Sequence, residues 1–207
     1  MKKSKKFIYL ISPTNINKKT FFKNLSTLFA LNKISYFQLR LKNYKEKEII
    51  QIGKNALKIC IKYKVKLIIN DNPRIAKLVK ANGCHLGQKD MKIKDARKIL
   101  KNKIIGVTCH NSLKLVIKSI KEGADYVALG SFFRSNTKKS KFQADTKIIS
   151  KVQKVTKKPT VLIGGINSKN YKKLLLHKPN FLAISGYIWN NSTLSPKEAL
   201  KKLNYEN

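Results

Sequence analysis

The sequence predicts a compact (β/α)₈ barrel in a single α/β domain. Three observations carry that prediction. Eight short β-rich runs alternate with lysine-studded helical patterns along the 207 residues. Most of these runs are near-continuously apolar, as parallel strands covered on both faces must be. The other architecture with this alternation is an open doubly wound sheet, and neither a GxGxxG fingerprint nor a P-loop supports it. The length suits one core spanning residues 1–207, with no linker, internal repeat or low-complexity tail.

The strands are read in order. The first lies at residues 7–11 (FIYLI), the second at 36–41 (YFQLRL) and the third at 66–70 (KLIIN). The fourth and fifth lie at 84–87 and 103–108 (KIIGVT). The last three lie at 126–130 (YVALG), 160–165 (TVLIGG) and 181–186 (FLAISG). Between them, residues 45–63 set Ile49, Ile52, Ala56, Ile59, Cys60 and Tyr63 on one helical stripe. Residues 111–122 set Leu113, Val116, Ile117 and Ile120 at helical spacing behind Asn111 or Ser112 as N-cap. Ser195-Pro196-Lys197-Glu198 is a capping box with proline at the first helical position, and predicts a helix to about Leu203.

Lys+Arg total 46 against 10 Asp+Glu, a formal net charge of +36. Such a charge invites a nucleic-acid reading. However, the cations are spread along the chain in pairs such as Lys18-Lys19 and Lys157-Lys158, and only four are arginines, the side chain suited to forked phosphate and base contacts. A composition bias toward lysine explains the excess, and no specific nucleic-acid partner is expected. No apolar run approaches the ~18 residues of a membrane span. The apolar block after the basic N-terminus is short for a signal peptide. Cys60, Cys84 and Cys109 are odd in number and lack metal-type spacing, which fits a reducing cytoplasm.

In such a barrel the chemistry sits at the carboxyl ends of the strands. Strand two ends Gln38-Leu39-Arg40-Leu41-Lys42, with Gln38, Arg40 and Lys42 on one side by alternation. Strand three ends Asn70-Asp71, and strand four leads into His85-Leu86-Gly87-Gln88-Lys89-Asp90. Strand five ends Thr108-Cys109-His110, and strand six leads into residues 130–138, which include Ser135, Asn136, Thr137 and Lys138. Strands seven and eight end in Gly164-Gly165 and Ile184-Ser185-Gly186. Two carboxylates (Asp71, Asp90) beside cations suit Mg²⁺ bound jointly with a diphosphate. The glycine pair with Ser185 matches the usual phosphate site of such barrels. Two anion sites are therefore expected. No nucleophilic triad is evident.

These segments, together with Ile105-Gly106-Val107-Thr108-Cys109-His110, Gly123-Ala124-Asp125-Tyr126 and Ile163-Gly164-Gly165-Ile166, occur in an order that resembles the thiamine phosphate synthase family across residues 7–190. The resemblance implies an enzyme that joins 4-amino-5-hydroxymethyl-2-methylpyrimidine diphosphate to 4-methyl-5-(2-phosphoethyl)thiazole, releasing diphosphate. It implies that Gln38, Leu39, Arg40, Leu41, Lys42, Asn70, Thr108 and Lys138 hold the pyrimidine diphosphate, with Arg40, Lys42 and Lys138 as the catalytic cations. It also implies that Asp71 and Asp90 hold Mg²⁺. Ser135, Asn136, Thr137, Gly165, Ile184 and Ser185 would hold the thiazole phosphate. Departures are Thr108 and Ser135, which keep a hydroxyl where the family often has serine and threonine. Ser131 and Arg134 replace common prolines, and a usual glycine is missing near Asp145-Thr146.

Each assignment has a plainer alternative. Asp71 could cap the short helix that starts near Pro73. Arg40 and Lys42 could lie on the outer side, and Thr108 could be a core hydroxyl. Arg134 is either a further phosphate contact or a solvated surface residue. Cys84, His85 and Cys109 are read as packing residues, His110 as structural or peripheral, and residues 131–145 as a closing loop. A thiazole tautomerase on the same barrel is the competing enzyme reading, and a basic nucleic-acid-binding protein the non-enzyme one. The tautomerase has no diphosphate to clamp, so the Asn70-Asp71 and Gln88-Lys89-Asp90 segments favour the synthase.

Overall fold

In a computed structural model that describes residues 6–134 and 143–204, eight parallel strands close into a barrel in chain order. They are β1 (Ile8–Ile11), β2 (Ile34–Leu39), β3 (Lys66–Asn70), β4 (Gly83–Leu86), β5 (Ile104–His110), β6 (Tyr126–Gly130), β7 (Thr160–Ile163) and β8 (Phe181–Ile184). Helices α1 (Lys18–Ala30), α2 (Glu46–Lys62), α3 (Pro73–Val79), α4 (Ile93–Leu100), α5 (Leu113–Lys121), α6 (Lys147–Val155) and α7 (Tyr171–Leu175) follow the first seven strands in turn. After β8 come α8 (Gly186–Trp189) and α9 (Pro196–Lys201). The barrel closes where Tyr9 of β1 pairs with Ala183 of β8.

The element boundaries differ from the sequence reading in ways that matter for function. β2 begins at Ile34 and ends at Leu39, so Arg40, Leu41 and Lys42 lie just beyond the strand. β5 runs on to His110 through a register shift between Thr108 and His110. Ser112 is the N-cap of α5, its side chain accepting from the Leu115 N–H. The Ser195–Glu198 capping box starts α9, which ends at Lys201 instead of Leu203.

Strand alternation sorts the apolar side chains into two layers. Leu10, Phe37, Leu39, Leu67, Ile69, Val127, Leu129, Leu162 and Leu182 point outward and form the annulus covered by the helices. Tyr9, Ile11, Ile68, Tyr126, Ala128, Val161 and Ala183 point inward and fill the lumen, with Tyr36 and Phe181 packed beneath. The inner layer is aromatic. Tyr9 stacks on Tyr36 with ring centroids 5.5 Å apart and meets Tyr126 edge-on at 5.8 Å. Gly106 of β5 makes room for this, because a Cβ there would run into the Tyr126 ring.

The amino end of the barrel is fastened by Arg97 of α4. Its Nη1 donates to the carbonyls of Lys101 and Lys103, both at 2.6 Å, and its Nη2 to the Gly123 carbonyl and Asp125 Oδ2, both at 2.7 Å. Asp125 also accepts from the Ile105 N–H at 2.9 Å, which ties α4, β5 and β6 together. Arg97→Met is expected to lower unfolding free energy by about 2 kcal/mol, since it removes four charge-assisted bonds at once. Urea denaturation measures the loss. Specific activity of the folded protein should not change, because the catalytic end is opposite.

Candidate active site

The carboxyl ends of β2, β3 and β4 bring the acidic and basic side chains together. After β3 the chain turns sharply at Asp71, whose φ is +62° and whose N–H donates to the His85 carbonyl at 2.8 Å. The helix cap that Asp71 could have been is its neighbour. Asn72 Oδ1 accepts from the N–H groups of Arg74 and Ile75 at 3.0 and 3.1 Å. The Asp71 carboxylate is thereby left for the mouth of the barrel, where Lys42 Nζ lies 3.3 Å from its Oδ2. Asp90 is folded back by the Gly87 N–H, which donates to its Oδ2 at 2.7 Å. The Asp71 and Asp90 carboxyl groups are close enough for Asp71 to act on the protonation of Asp90. Burial pushes the Asp90 carboxyl above its ordinary pKa, Asp71 pushes it the same way, and the Gly87 N–H and Lys42 oppose them.

Arg40 is half-buried at the same mouth. Burial pulls its pKa down and the Asp71 charge offsets part of that. Its backbone is held by Ser12, whose Oγ accepts from the Arg40 N–H at 2.9 Å and donates to the Arg40 carbonyl at 3.3 Å. Ser185 Oγ in turn donates to the Ser12 carbonyl at 3.1 Å, so one buried serine ties the ends of β1, β2 and β8. Sequence reasoning passed over Ser12. A small hydroxyl directly after a wholly apolar strand was the available signal.

Gln38 and Thr108 point into the lumen and are joined by a buried hydrogen-bonded chain. Gln38 Nε2 lies 3.1 Å from the Tyr9 hydroxyl, which lies 2.7 Å from the Tyr126 hydroxyl. Tyr126 OH is 2.9 Å from His85 Nδ1, and His85 Nε2 is 2.8 Å from Thr108 Oγ1. His85 is thus more than the packing residue expected of it. It is buried, and it also supports Thr108. The sequence marks Tyr9 only as part of an apolar strand and Tyr126 only as part of another and the end of the Gly123-Ala124-Asp125-Tyr126 segment, with no site role for either, although both occupy inward positions of their strands. Cys84 and Cys109 are buried in the outer layer, and burial raises both thiols, Cys109 to about 11.

Desolvation lowers the His85 pKa from 6.5 to about 4. Between these values the unfolded chain binds the proton and the folded one does not, so stability rises with pH across this window. His85 is therefore expected to cost on the order of 3 kcal/mol as pH falls from about 6.5 to about 4. Asp90, with its raised pKa, acts in the opposite sense. The difference in urea midpoint between the wild type and His85→Gln, followed against pH, isolates the histidine contribution.

The other expected residues sit as follows. Leu39, Leu41 and Ile184 have their side chains in the outer core, at 1%, 4% and 2% exposure, so what they offer the mouth is main chain. Asn70 stands beside His85 in register and is half-buried. Gly164 and Gly165 carry φ of +111° and +60°, and the chain after β6 lies directly against them. A Cβ on Gly164 would strike Ser131, and one on Gly165 would strike the Arg134 carbonyl. Phe132 and Phe133 donate their N–H groups to the Ile163 and Gly164 carbonyls, both at 3.1 Å. Arg134 is exposed. Ser135, Asn136, Thr137 and Lys138 lie outside the described residues, as does most of the loop read as closing.

Polar and charged side chains gathered at the carboxyl ends of a closed parallel barrel define a (β/α)₈-barrel enzyme. The chain belongs to the thiamine monophosphate synthase family, whose model matches residues 8–188. It is 55% identical to the thiamine-phosphate synthase of Pelagibacter ubique over 200 residues, covering 97% of both chains. It is 34% identical to that of Rhodospirillum centenum over 185 residues, covering 89% of each. Among solved structures, thiamine phosphate pyrophosphorylase from Pyrococcus furiosus superposes with a TM-score of 0.83 at 25% identity, covering 97% of this chain and 94% of that one. The chain is thus a transferase with thiamine-phosphate synthase function. No helix among the described residues is long and apolar enough to cross a membrane.

Proposed function

We propose that this chain condenses 4-amino-5-hydroxymethyl-2-methylpyrimidine diphosphate with 4-methyl-5-(2-phosphoethyl)thiazole, giving thiamine phosphate and diphosphate, with Mg²⁺ held by Asp71 and Asp90. The observation that carries this reading is the meeting of acids and bases at one mouth: Asp71 lies 3.3 Å from Lys42, its charge bears on both Asp90 and Arg40, and Asp90 is folded back onto the Gly87 N–H. Two acidic groups held together, one with its pKa raised, fit a divalent cation that would relieve their crowding. No cluster of three or more His, Cys, Asp or Glu side chains suited to a metal occurs among the described residues. That donor set suits Mg²⁺, which takes one or two carboxylates and completes its shell with phosphate oxygens and water. When bound, Mg²⁺ neutralises charge on the leaving diphosphate.

The residues of the chain supply the rest. Arg40 and Lys42 face the diphosphate, where electrostatic stabilisation contributes most as negative charge accumulates. The methylene C–O bond breaks, both electrons leave with diphosphate, and the ring amino group stabilises the pyrimidine-methyl cation. The thiazole nitrogen then donates its lone pair to form the C–N bond, and no proton need be removed. Gln38, Asn70 and Thr108 orient the pyrimidine half, and Gly165 and Ser185 the thiazole phosphate. The barrel mouth must keep water from trapping the cation. Purified protein given both substrates and Mg²⁺ should release diphosphate in step with thiamine phosphate, and EDTA should abolish both. Undiminished release in excess EDTA would remove Mg²⁺ from the reaction.

A further inference from the structure

The buried chain from Gln38 to Thr108 has a directional property that follows from counting hydrogens. An amide nitrogen has hydrogens but no free lone pair, so Gln38 Nε2 must donate to the Tyr9 oxygen at 3.1 Å. Tyr9 has one hydroxyl hydrogen, and its other partner is the Tyr126 oxygen at 2.7 Å. Tyr9 therefore donates to Tyr126, and Tyr126 spends its own hydrogen on His85 Nδ1 at 2.9 Å. A neutral imidazole that accepts at Nδ1 carries its hydrogen on Nε2. That hydrogen goes to Thr108 Oγ1 at 2.8 Å. The Thr108 hydroxyl hydrogen has then no acceptor on the histidine and must turn elsewhere. At the far end, Gln38 is left with its carbonyl oxygen unspent on this chain.

We propose that Tyr9, Tyr126 and His85 are positioning residues that couple Gln38 to Thr108 across the lumen, so that Gln38 presents an acceptor and Thr108 a donor to one bound substrate. None of the three need touch the substrate. The pattern selects a ligand with an N–H at the Gln38 end and an anionic or carbonyl oxygen at the Thr108 end. An aminopyrimidine carrying a diphosphate has both, and in naming this substrate the inference rests on the proposed function above. Reversing one member would reverse all of them, because each hydroxyl and the imidazole has a single hydrogen to place in the chain. Burial enforces this, since a mismatched hydroxyl in the lumen would have no water to turn to.

The test reads the histidine directly, without substrate. The chain has three histidines, so ¹⁵N-histidine labelling gives a simple spectrum, and the His85 signals are those lost in His85→Gln. In the wild type at neutral pH, His85 should show a protonated Nε2 and an unprotonated Nδ1. Tyr9→Phe lies two hydrogen bonds from the ring and Gln38→Leu three. Each should release the polarity and move the two nitrogen shifts toward each other as tautomers mix. Tyr9→Phe should also lower kcat/KM for the pyrimidine diphosphate about tenfold, the value of one hydrogen bond, with KM for the thiazole phosphate unchanged. A wild-type His85 protonated on Nδ1, or unchanged shifts in either folded variant, would overturn the coupling. An inactive wild type with the expected shifts would instead overturn the substrate reading and leave the coupling standing.

Discussion

Asp71→Asn and Asp90→Asn should each lower kcat by on the order of 10²–10³-fold, the usual loss when one preorganised electrostatic contact to a developing charge is removed. Asp71 acts on the charge of Asp90, and Lys42 sits 3.3 Å from Asp71. Removing either acid would leave a single carboxylate to hold the cation. The loss should therefore be partly recovered at high Mg²⁺ in Asp90→Asn, where Asp71 keeps its place beside Lys42. Stability should move the other way. Burial and Asp71 both raise the Asp90 pKa, so the charged form of Asp90 is costly in the metal-free protein. Asp90→Asn should unfold at the same or a higher temperature than the wild type. Steady-state kinetics with a Mg²⁺ titration, paired with thermal denaturation, separates lost chemistry from lost structure. An unchanged kcat in both variants would contradict the carboxylate assignment.

The largest effect on stability is expected at Gly106, in the packed lumen of the barrel. A Cβ at this position would overlap the Tyr126 ring, which is wedged against Tyr9, Tyr36 and His85. Gly106→Ala should cost about 3 kcal/mol, the upper end for overpacking a well-filled interior. Because Tyr126 also bonds His85, the surviving folded protein should have weaker substrate binding too. Combining Gly106→Ala with Tyr126→Leu should recover much of the stability, as the smaller side chain vacates the space, but none of the binding. Equilibrium urea unfolding of the two single variants and the double one measures this. Additive losses would mean that the two side chains do not compete for one volume.

The barrel was legible in the sequence because parallel strands buried on both faces write themselves as apolar runs. The strands at β1, β3, β6, β7 and β8 stand close to where those runs lie. β2 was harder to bound, since Ile34 and Ser35 begin it without an unbroken apolar pattern and the charged Arg40 and Lys42 continue its alternation past the last paired residue. The acidic pair was legible because ten carboxylates in a chain of 46 cations make each strand-end aspartate informative. The sharp turn that aims Asp71, and its release from capping by Asn72, depend on a backbone angle that no residue type announces. The polar chain through the lumen was hidden for a different reason. Tyr9, Tyr126 and His85 are separated by up to 117 residues, and only closure of the barrel brings them within reach. A tyrosine in an apolar strand reads as core, which it is, while its hydroxyl carries the connection to the site.

Calorimetric titration of inorganic diphosphate into the protein, with and without Mg²⁺, most directly tests whether this mouth receives a cation-bound diphosphate. Binding should need Mg²⁺ in the wild type, weaken at least tenfold in Asp71→Asn and Asp90→Asn, and weaken similarly in Arg40→Ala. Binding of equal strength in EDTA, or unaltered by both aspartate substitutions, would contradict it.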